Sequence, residues 1–468
     1  MGTLQPPNLP PLKDLRVHHL ATTTVVPSEP TEPRSMFLSN IDQVLNFDVQ
    51  TVHFFVAREG YPPEAVAEKL EAAVGRLLVP YDFLAGRARV NPEDGRFEID
   101  CNGAGVGFTR AASDLSLDEV GDLVYPNPAF RQLVVVQPEA VSLEYLEKRP
   151  LFRIQVTSFR CGAFAMGISA SHLTFDGLSF KMFLDNLAAF VAGKPLAVVP
   201  CNDRRLLAAR SPPKVTFPHP DLQPLPDLPP VLEPQASILD PNAAHLQFKL
   251  LHLRSRDIAT LKEKAKRGAP ADAASPGGTI TGFNVVTAHV WRCKVLAAAE
   301  DDHEDDGGGE RPSTVIYAVD IRSRMRPPLP KSYTGNAVLT GYGTATRGEL
   351  RDAPFFRVVE AVREGSTRLT DEYARSAIDW GQLHRGVPHG DVLVSSWWRL
   401  GFAEVDFPWG RPIYCVPVVI PNGDIVVLLP DKEPNPAGTG TGVYALVGMP
   451  SKHMEKFESL FYNSISNY

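Results

Sequence analysis

The 468-residue sequence lacks several features that define special classes of protein. It has no apolar run of about 18 residues, as a transmembrane helix requires, and no apolar segment of signal-peptide length near its N-terminus. It also has no block of Lys or Arg, and 47 basic against 54 acidic residues give a net charge of −7. That balance argues against nucleic acid or an anionic membrane as the main partner. From these absences we expect a cytoplasmic protein without a membrane span.

Cysteine is scarce, and no metal site is predicted. The chain has no CxxC pair and no Cys/His spacing typical of zinc, so we expect neither a disulfide framework nor a metal. The acidic run at 300–310 lacks the alternating ligands of a calcium loop and is interpreted as a surface loop. The five cysteines are Cys101, Cys161, Cys201, Cys293 and Cys415.

Proline, in contrast, is abundant, with 43 residues in the chain. Many of these prolines lie between residues 195 and 240, where neither a helix nor a central strand could tolerate them. We therefore predict a long connector at about 195–245 that joins two lobes, residues 1–220 and residues 221–468. A chain of this length with 44% hydrophobic residues is large enough for two folded units.

Strand-like and helix-like segments alternate in both halves, which predicts an α/β (α+β) protein with mixed sheets. Residues 1–35 are interpreted as an extended arm. In the first half we predict strands at 48–58, 96–100, 151–158 and 161–171, and helices from Pro62 and over 177–193. In the second half we predict strands at 246–253, 314–320, 413–420, 424–429 and 442–448, and helices at 256–266, 283–299 and 451–465.

The segment HLTFDG at 172–177 is the strongest candidate for chemistry. His172 lies between a predicted buried strand and a helix, and an imidazole with a near-neutral pKa can act as a general base. Asp176 could orient the imidazole, or it could pair with an arginine and hold the loop in shape. The spacing alone also fits a structural histidine or two metal ligands, although a metal would need a third ligand.

Five segments in order resemble the plant BAHD acyltransferases, which use coenzyme A thioesters, and they extend over nearly the whole chain. HLTFDG corresponds to the family's HxxxDG motif, and DFPWG at 406–410 corresponds to its DFGWG motif. The other three segments are SNID at 39–42, the helical AHVWR at 288–292, and DIRSRMRPPLP at 320–330 followed by YTGN at 333–336.

This resemblance implies two lobes like chloramphenicol acetyltransferase with a channel between them. It implies that His172 is the general base, that Trp397 donates to the oxyanion, and that Ser395 contacts the acceptor. Acyl-CoA would be a co-substrate rather than a bound cofactor, and the enzyme would be a monomer. Asp176 is expected to pair with Arg322. Thr281 is expected either to contact coenzyme A or to cap its helix. Structural support of the site is expected from Arg322, Asp406, Trp409 and Gly410.

Two departures from the family pattern affect the prediction. Thr334 and Ala337 differ from the YFGNC form of malonyl-transferring relatives, which argues against a malonyl donor. Since many relatives use aromatic donors, we expect a hydroxycinnamoyl donor, with acetyl, benzoyl and long-chain acyl groups as alternatives, and a hydroxyl or amine acceptor. Pro408 replaces the usual glycine of DFGWG, and proline cannot adopt positive φ. Pro408 keeps open the alternative of a weak or inactive relative that acts through protein partners. The spacing of His172 and Asp176 keeps open a second alternative, a metal-dependent hydrolase.

Overall fold

The structure is a computed structural model that describes residues 13–125, 127–136, 143–224, 246–267, 279–298, 310–384, 386–418, 423–432 and 442–466. Most of the predicted acidic loop and residues 225–245 of the connector lie outside these ranges. Within them, the chain forms two six-stranded mixed sheets and two small sheets, with helices packed against them. The predicted fold class is confirmed.

The strands follow one another in this order: β1 (Val17–Val25), β2 (Arg34–Phe37), β3 (Asp48–Phe55), β4 (Arg87–Val90), β5 (Phe97–Cys101), β6 (Val106–Ser113), β7 (Phe152–Phe159), β8 (Phe164–Ser171), β9 (Leu222–Pro224), β10 (Leu246–Leu253), β11 (Pro312–Asp320), β12 (Val338–Thr346), β13 (Gly386–Pro388), β14 (Val392–Ser396), β15 (Tyr414–Pro417), β16 (Ile425–Pro430) and β17 (Val443–Pro450).

The α-helices are α1 (Asn40–Gln43), α2 (Pro63–Leu77), α3 (Leu117–Val120), α4 (Leu143–Lys148), α5 (Gly177–Val191), α6 (Ser255–Arg267), α7 (Gly282–Ala298), α8 (Arg347–Asp352), α9 (Phe355–Thr367), α10 (Asp371–Leu383) and α11 (Ser451–Ser466). None of the helices within the described residues is long and apolar enough to cross a membrane.

The first large sheet has the order β1-β6-β7-β8-β3-β15, and the second has the order β10-β17-β16-β14-β11-β12. The two sheets share a plan, because β3 and β8 pair antiparallel in the first as β10 and β17 do in the second. Each of these four strands precedes a helix: α2 and α5 in the first half, α6 and α11 in the second. The two halves are therefore built on similar units.

Strand β8, which ends directly before His172, is an interior strand of the first sheet. All eight of its residues are buried, since β7 and β3 flank it and helices cover the sheet. Its small residues allow this close packing: an added Cβ on Gly167 would lie 1.9 Å from the Leu133 main-chain oxygen. The residue that follows β8, His172, is therefore held at the end of a closely packed strand, and the predicted position between a buried strand and a helix is present.

The sixth strand of the first sheet comes from the C-terminal half. Strand β15 pairs antiparallel with β3, and Phe402, Phe407 and Trp409 belong to the apolar core of the first half. The division at residue 220 stays a prediction, but a single cut there does not separate the sheets. The strand predicted at 413–420 contributes to the first sheet because its neighbouring aromatic side chains are buried in that core.

The extended arm and the connector are more regular than predicted. Residues of the arm form β1 at the edge of the first sheet and β2 in a small sheet. The described part of the connector contains a 3₁₀ turn at Arg204–Leu207 and the short strand β9, which pairs with β13. Arg210 donates to Asp379 at 2.6 Å, which fixes the connector to α10.

Candidate active site

His172 follows β8 directly and is held by its main chain. Its N–H donates to the Phe47 carbonyl oxygen at 2.8 Å, and its own carbonyl oxygen accepts from Asn336 Nδ2 at 2.8 Å. The imidazole is half-buried, with its ring edge-to-face with Phe47 at 5.1 Å between centroids. Contacts from both halves of the chain therefore hold the main chain of His172, and Phe47 packs against its ring.

The surroundings of His172 keep its imidazole neutral. Burial lowers the pKa of His172 below its usual 6.5, and this effect outweighs the opposing influence of its own carbonyl group, the Asn336 side chain and the carboxylates of Asp176 and Asp42. A neutral imidazole has a free lone pair at physiological pH, so His172 has the protonation state that a general base needs.

Asp176 does not contact the His172 imidazole, because other groups occupy its carboxylate. Oδ1 accepts from the main-chain N–H of Ser179 at 2.9 Å, which makes Asp176 the N-cap of α5, and Oδ2 accepts from that of Ala337 at 3.0 Å. Arg322 reaches both oxygens, at 3.0 and 2.9 Å. The predicted pair is present. The arrangement leaves the carboxylate engaged by four donors and unsuited to share a metal with His172.

The charge of Asp176 is stabilised despite its burial. Burial by itself would raise the pKa of this carboxyl, but Arg322 and the two main-chain donors outweigh it and hold the pKa below its usual range. Arg322 also donates to Ser179 Oγ at 2.8 Å and to the Gly335 carbonyl at 2.9 Å. It therefore ties the HLTFDG loop to the turn at 333–337.

The DFPWG segment forms a tight turn that accommodates proline. The Gly410 N–H donates to the Phe407 carbonyl at 2.9 Å, so Pro408 occupies the second position of a four-residue turn, where proline is favoured. Only Gly410 has positive φ in this turn, at 107°, a conformation that favours glycine. The difference from the family pattern at Pro408 therefore introduces no backbone conflict.

The predicted support residues of this turn differ in their surroundings. Trp409 is buried and stacks on Phe407 at 5.2 Å, with its ring also edge-to-face with Phe164 at 5.9 Å. Asp406 is exposed, and its partner Arg411, at 3.6 Å, is exposed as well. Exposed ion pairs contribute little to stability, so the turn is held by Trp409 and Gly410 rather than by Asp406.

Trp397 lies where the two halves meet, just after β14. Its half-buried ring packs against the apolar cores of both halves and stands edge-to-face with Phe402 at 5.5 Å. Its main-chain N–H donates to the Leu428 carbonyl at 2.8 Å. Ser395, two residues earlier on β14, is half-buried and pairs in register with Val427 of β16.

Thr281 caps the start of α7. Its hydroxyl donates to Asn284 Oδ1 at 2.7 Å and lies 3.2 Å from the Asn284 N–H, which donates back to it. This is the helix-cap role that the sequence left open beside a coenzyme A contact. The side chain is exposed, so a ligand could still reach it.

Several residues of the loop's framework were not predicted as site residues. Asp42 and Asn336 lie in the SNID and YTGN segments, yet no sequence spacing could show that they contact each other across 294 positions. Arg204 of the connector is fully buried and donates to the Thr174 carbonyl at 2.8 Å. Its guanidinium also lies over the Tyr333 ring at 5.7 Å. Membership of a recognisable motif is the only feature of the sequence that could have indicated a role for Asp42 and Asn336. Arg204 belongs to no such motif.

Comparisons with known proteins agree with this architecture. The profile of the Transferase family matches residues 15–464. The chain is 54% identical over 455 residues to Acyltransferase GLAUCE of Arabidopsis thaliana, with 97% of each chain covered. It is 31% identical to the Omega-hydroxypalmitate O-feruloyl transferase of the same plant, covering 96% of this chain and 93% of the relative. It is 33% identical to a Hydroxycinnamoyltransferase of Narcissus pseudonarcissus, covering 94% and 98%.

Two solved structures share the fold. Vinorine Synthase superposes with a TM-score of 0.71 at 22% identity, covering 94% of this chain and 96% of that structure. TRI101 of F. graminearum, crystallised with Coenzyme A and T-2 mycotoxin, gives a TM-score of 0.70 at 13% identity, covering 93% and 99%. Since the family profile and these relatives span almost the whole sequence, the chain belongs to the plant BAHD acyltransferase family.

Proposed function

We propose that this acyltransferase moves a hydroxycinnamoyl group from coenzyme A to a hydroxyl or amine of a small acceptor, with His172 as the general base. The observation that carries the proposal is the state of His172: a neutral, half-exposed imidazole at the end of a buried strand, held by contacts from both halves. A fixed imidazole with a lowered pKa is suited to accept a proton from a bound acceptor.

The reaction follows from this assignment. His172 takes the proton of the acceptor hydroxyl, and the oxygen attacks the carbonyl carbon of the thioester. The resulting oxyanion needs a hydrogen-bond donor, for which we propose the indole N–H of Trp397, at the junction of the two halves. The intermediate then breaks its C–S bond, and the coenzyme A thiolate takes the proton back from His172. The acyl group is left on the acceptor.

The remaining residues would hold this machinery rather than react. Asp176 and Arg322 fix the loop that carries His172, since the carboxylate of Asp176 is engaged by Arg322 and by the main-chain N–H groups of Ser179 and Ala337. Ser395 is proposed to contact the acceptor, and Thr281 coenzyme A beside its helix-cap role. Trp409 and Gly410 support the site through the turn at 406–410.

The aromatic donor is supported by relatives and by the surroundings of the site. Relatives at 31% and 33% identity are named for feruloyl and hydroxycinnamoyl transfer. Phe47 packs on His172, and Trp397 packs on Phe402, so aromatic rings lie next to the base and the proposed oxyanion donor. Aromatic side chains favour planar apolar groups through edge-to-face and stacked contacts.

The experiment compares wild type, His172→Ala and His19→Ala on a matrix of acyl-CoA donors and acceptors, with products identified by mass spectrometry. His19 is exposed on β1 and serves as the matched histidine control. Loss of the base should lower turnover by about 10²–10⁴-fold, whereas His19→Ala should match wild type. Near-normal turnover in His172→Ala would refute the base, and a preference for acetyl- or malonyl-CoA would refute the hydroxycinnamoyl donor.

A further inference from the structure

The Asn336 side chain joins the SNID segment to the main chain of His172. One N–H of Nδ2 donates to Asp42 Oδ1 at 2.8 Å, and Nδ2 also donates to the His172 carbonyl oxygen at 2.8 Å. Two acceptors face Nδ2, so the orientation of the amide is fixed: the reverse orientation would place Oδ1 against a carboxylate and a carbonyl. Asn336 is fully buried, so both N–H contacts are made out of water.

Asp42 is the residue that holds the side-chain amide of Asn336 in place. It is fully buried in α1, and its Oδ2 accepts from the Ser39 N–H at 2.8 Å and the Ser39 hydroxyl at 2.7 Å. Its other oxygen, Oδ1, faces Asn336, whose main-chain N–H also approaches at 3.4 Å. The two carboxylate oxygens of Asp42 thus have separate roles. Oδ2 completes the capping box of α1, and Oδ1 fixes the Asn336 side chain that contacts His172.

The Nδ1 atom of the imidazole faces the protein interior. His172 Nδ1 and Asn336 Oδ1 are both buried, and neither has a hydrogen-bond partner among the described residues. The Asn336 side chain and the carbonyl of His172 itself both lie close enough to favour a proton on the ring. A ring nitrogen that faces oxygen acceptors carries the proton in the neutral imidazole, which leaves the other nitrogen with its lone pair.

We propose that Asn336, held by Asp42, is a positioning residue that fixes the His172 imidazole as the Nδ1–H tautomer and thereby leaves Nε2 as the base. This inference rests on the proposed function of His172. It assigns a role to the SNID and YTGN segments, which otherwise have no part in the chemistry. The charged groups that act on His172 are the carboxylates of Asp42 and Asp176, and Arg322 neutralises Asp176.

The first test reads the tautomer without using activity. The protein is labelled with ¹⁵N-histidine, and the His172 ring signals are assigned by their loss in His172→Ala. Above the pKa of His172, wild type should show a protonated Nδ1 and an unprotonated Nε2, whereas Asn336→Ala should show a mixture of tautomers or the Nε2–H form. A wild-type ring protonated at Nε2 would overturn the proposal, even if His172 proved essential for turnover.

The second test is kinetic and uses Asn336→Ala, Asp42→Asn and the control Asn186→Ala. Asn186 is also a fully buried asparagine, which bonds to Tyr81 and to the main chain of Val198 away from the ring. Asn336→Ala should lower kcat about 10- to 10²-fold, less than His172→Ala does, with KM changed by no more than about threefold. The acid limb of its pH profile should move to lower pH, since Asn336 favours the protonated ring.

The control separates a positioning role from a merely structural one. Asn186→Ala should lower the thermal unfolding temperature without moving the pH profile. Asp42→Asn should share the kinetic effect of Asn336→Ala, and the double variant should lose no more than either single change, because both act through one contact. If Asn336→Ala only lowers the unfolding temperature, or if it fails to fold and Asp42→Asn keeps the wild-type pH profile, the proposal is wrong.

Discussion

At the scale of single residues, the loop at 172–177 contains two titratable groups whose pKa values burial moves in opposite directions. Burial favours the neutral forms of both His172 and Asp176, and only Asp176 has a buried cation beside it. The histidine therefore stays neutral, whereas Arg322 keeps the aspartate charged. One residue is left free for proton transfer, and the other is committed to holding the loop.

The first prediction concerns the pH dependence of turnover. A histidine with a lowered pKa keeps its lone pair until the pH falls through that lowered value, so the base is lost only under acid conditions. The acid limb of kcat/KM should therefore have its midpoint below 6.5, the usual value for histidine. A pH series in buffers of constant ionic strength measures this midpoint, and a value above 6.5 would contradict a neutral His172 ring in the folded protein.

The second prediction concerns the buried ion pair. Asp176→Asn leaves the Arg322 guanidinium buried with only the more exposed Asp320 as an acidic partner, and it should cost about 3 kcal/mol in the free energy of unfolding. Urea unfolding at pH 7 measures the loss. Asp406→Asn is the matched control, since its exposed pair should contribute less than about 1 kcal/mol.

The same pair should respond to acid in a defined direction. The pKa of Asp176 is lower in the folded protein than in an unfolded chain, so the pair stabilises fully above the unfolded value of about 3.9. Its contribution is lost as the pH falls through the lowered folded value. The difference between wild type and Asp176→Asn should therefore shrink in strong acid, and a difference that grows there would show that the pair is not the cause.

At the scale of elements, predictions succeeded where a segment has a clear pattern of its own. Strand β10 occupies the predicted 246–253, and α5 begins at the predicted residue 177. The whole stretch from β12 to α10 was not assigned to helices or strands. Two glycines, Gly341 and Gly343, interrupt the pattern of β12, although its pairing with β11 and its contacts with α9 make it a strand. Helix α9 has an amphipathic pattern that could have been recognised.

The third prediction concerns the turn at 406–410. Pro408→Gly should lower the free energy of unfolding by about 0.4–1 kcal/mol, because the turn already suits proline and glycine adds entropy to the unfolded chain. Turnover should stay within about twofold of wild type. Gly410→Ala should cost more, about 1–3 kcal/mol, since it places a side chain at φ 107°.

Urea unfolding and steady-state assays on the two turn variants test whether the turn accommodates Pro408 or whether Pro408 weakens the enzyme. A large gain of turnover in Pro408→Gly would show that the proline restrains the enzyme, as a weak or inactive relative would require. Equal losses of stability in both variants would contradict the turn geometry, because only Gly410 has the conformation that favours glycine.

At the scale of the whole molecule, the two halves are interlocked rather than joined only by a connector. The C-terminal half supplies β15 and the buried Phe407 and Trp409 to the first sheet, together with Arg322 and Asn336 to the loop that bears His172. The first half by itself would expose an apolar face and the free edge of β3. Burial of that face is a major stabilising contribution to the fold.

The fourth prediction tests this interlocking with fragments. Residues 13–224 alone should aggregate or unfold without cooperativity, whereas a fusion with residues 402–418 through a flexible Gly/Ser linker should be better folded. The five tryptophans of the chain all lie beyond residue 224, so Trp409 is the single fluorescent reporter in the fusion. Its emission should be blue-shifted, as expected for a buried indole. Cooperative unfolding of residues 13–224 alone would show that the first half does not need β15.

The mixed α/β class, most of the long elements and the position of the HLTFDG loop could be predicted from the sequence, because they depend on the local spacing of apolar residues and on short motifs. Three features became visible only in the folded chain: Asp176 contacts Arg322 across 146 positions, Asn336 contacts Asp42 across 294, and β15 completes the first sheet. Local patterns specify which face of an element is buried. They do not specify which distant group satisfies a buried charge or covers a free strand edge, since that depends on how the packed elements meet.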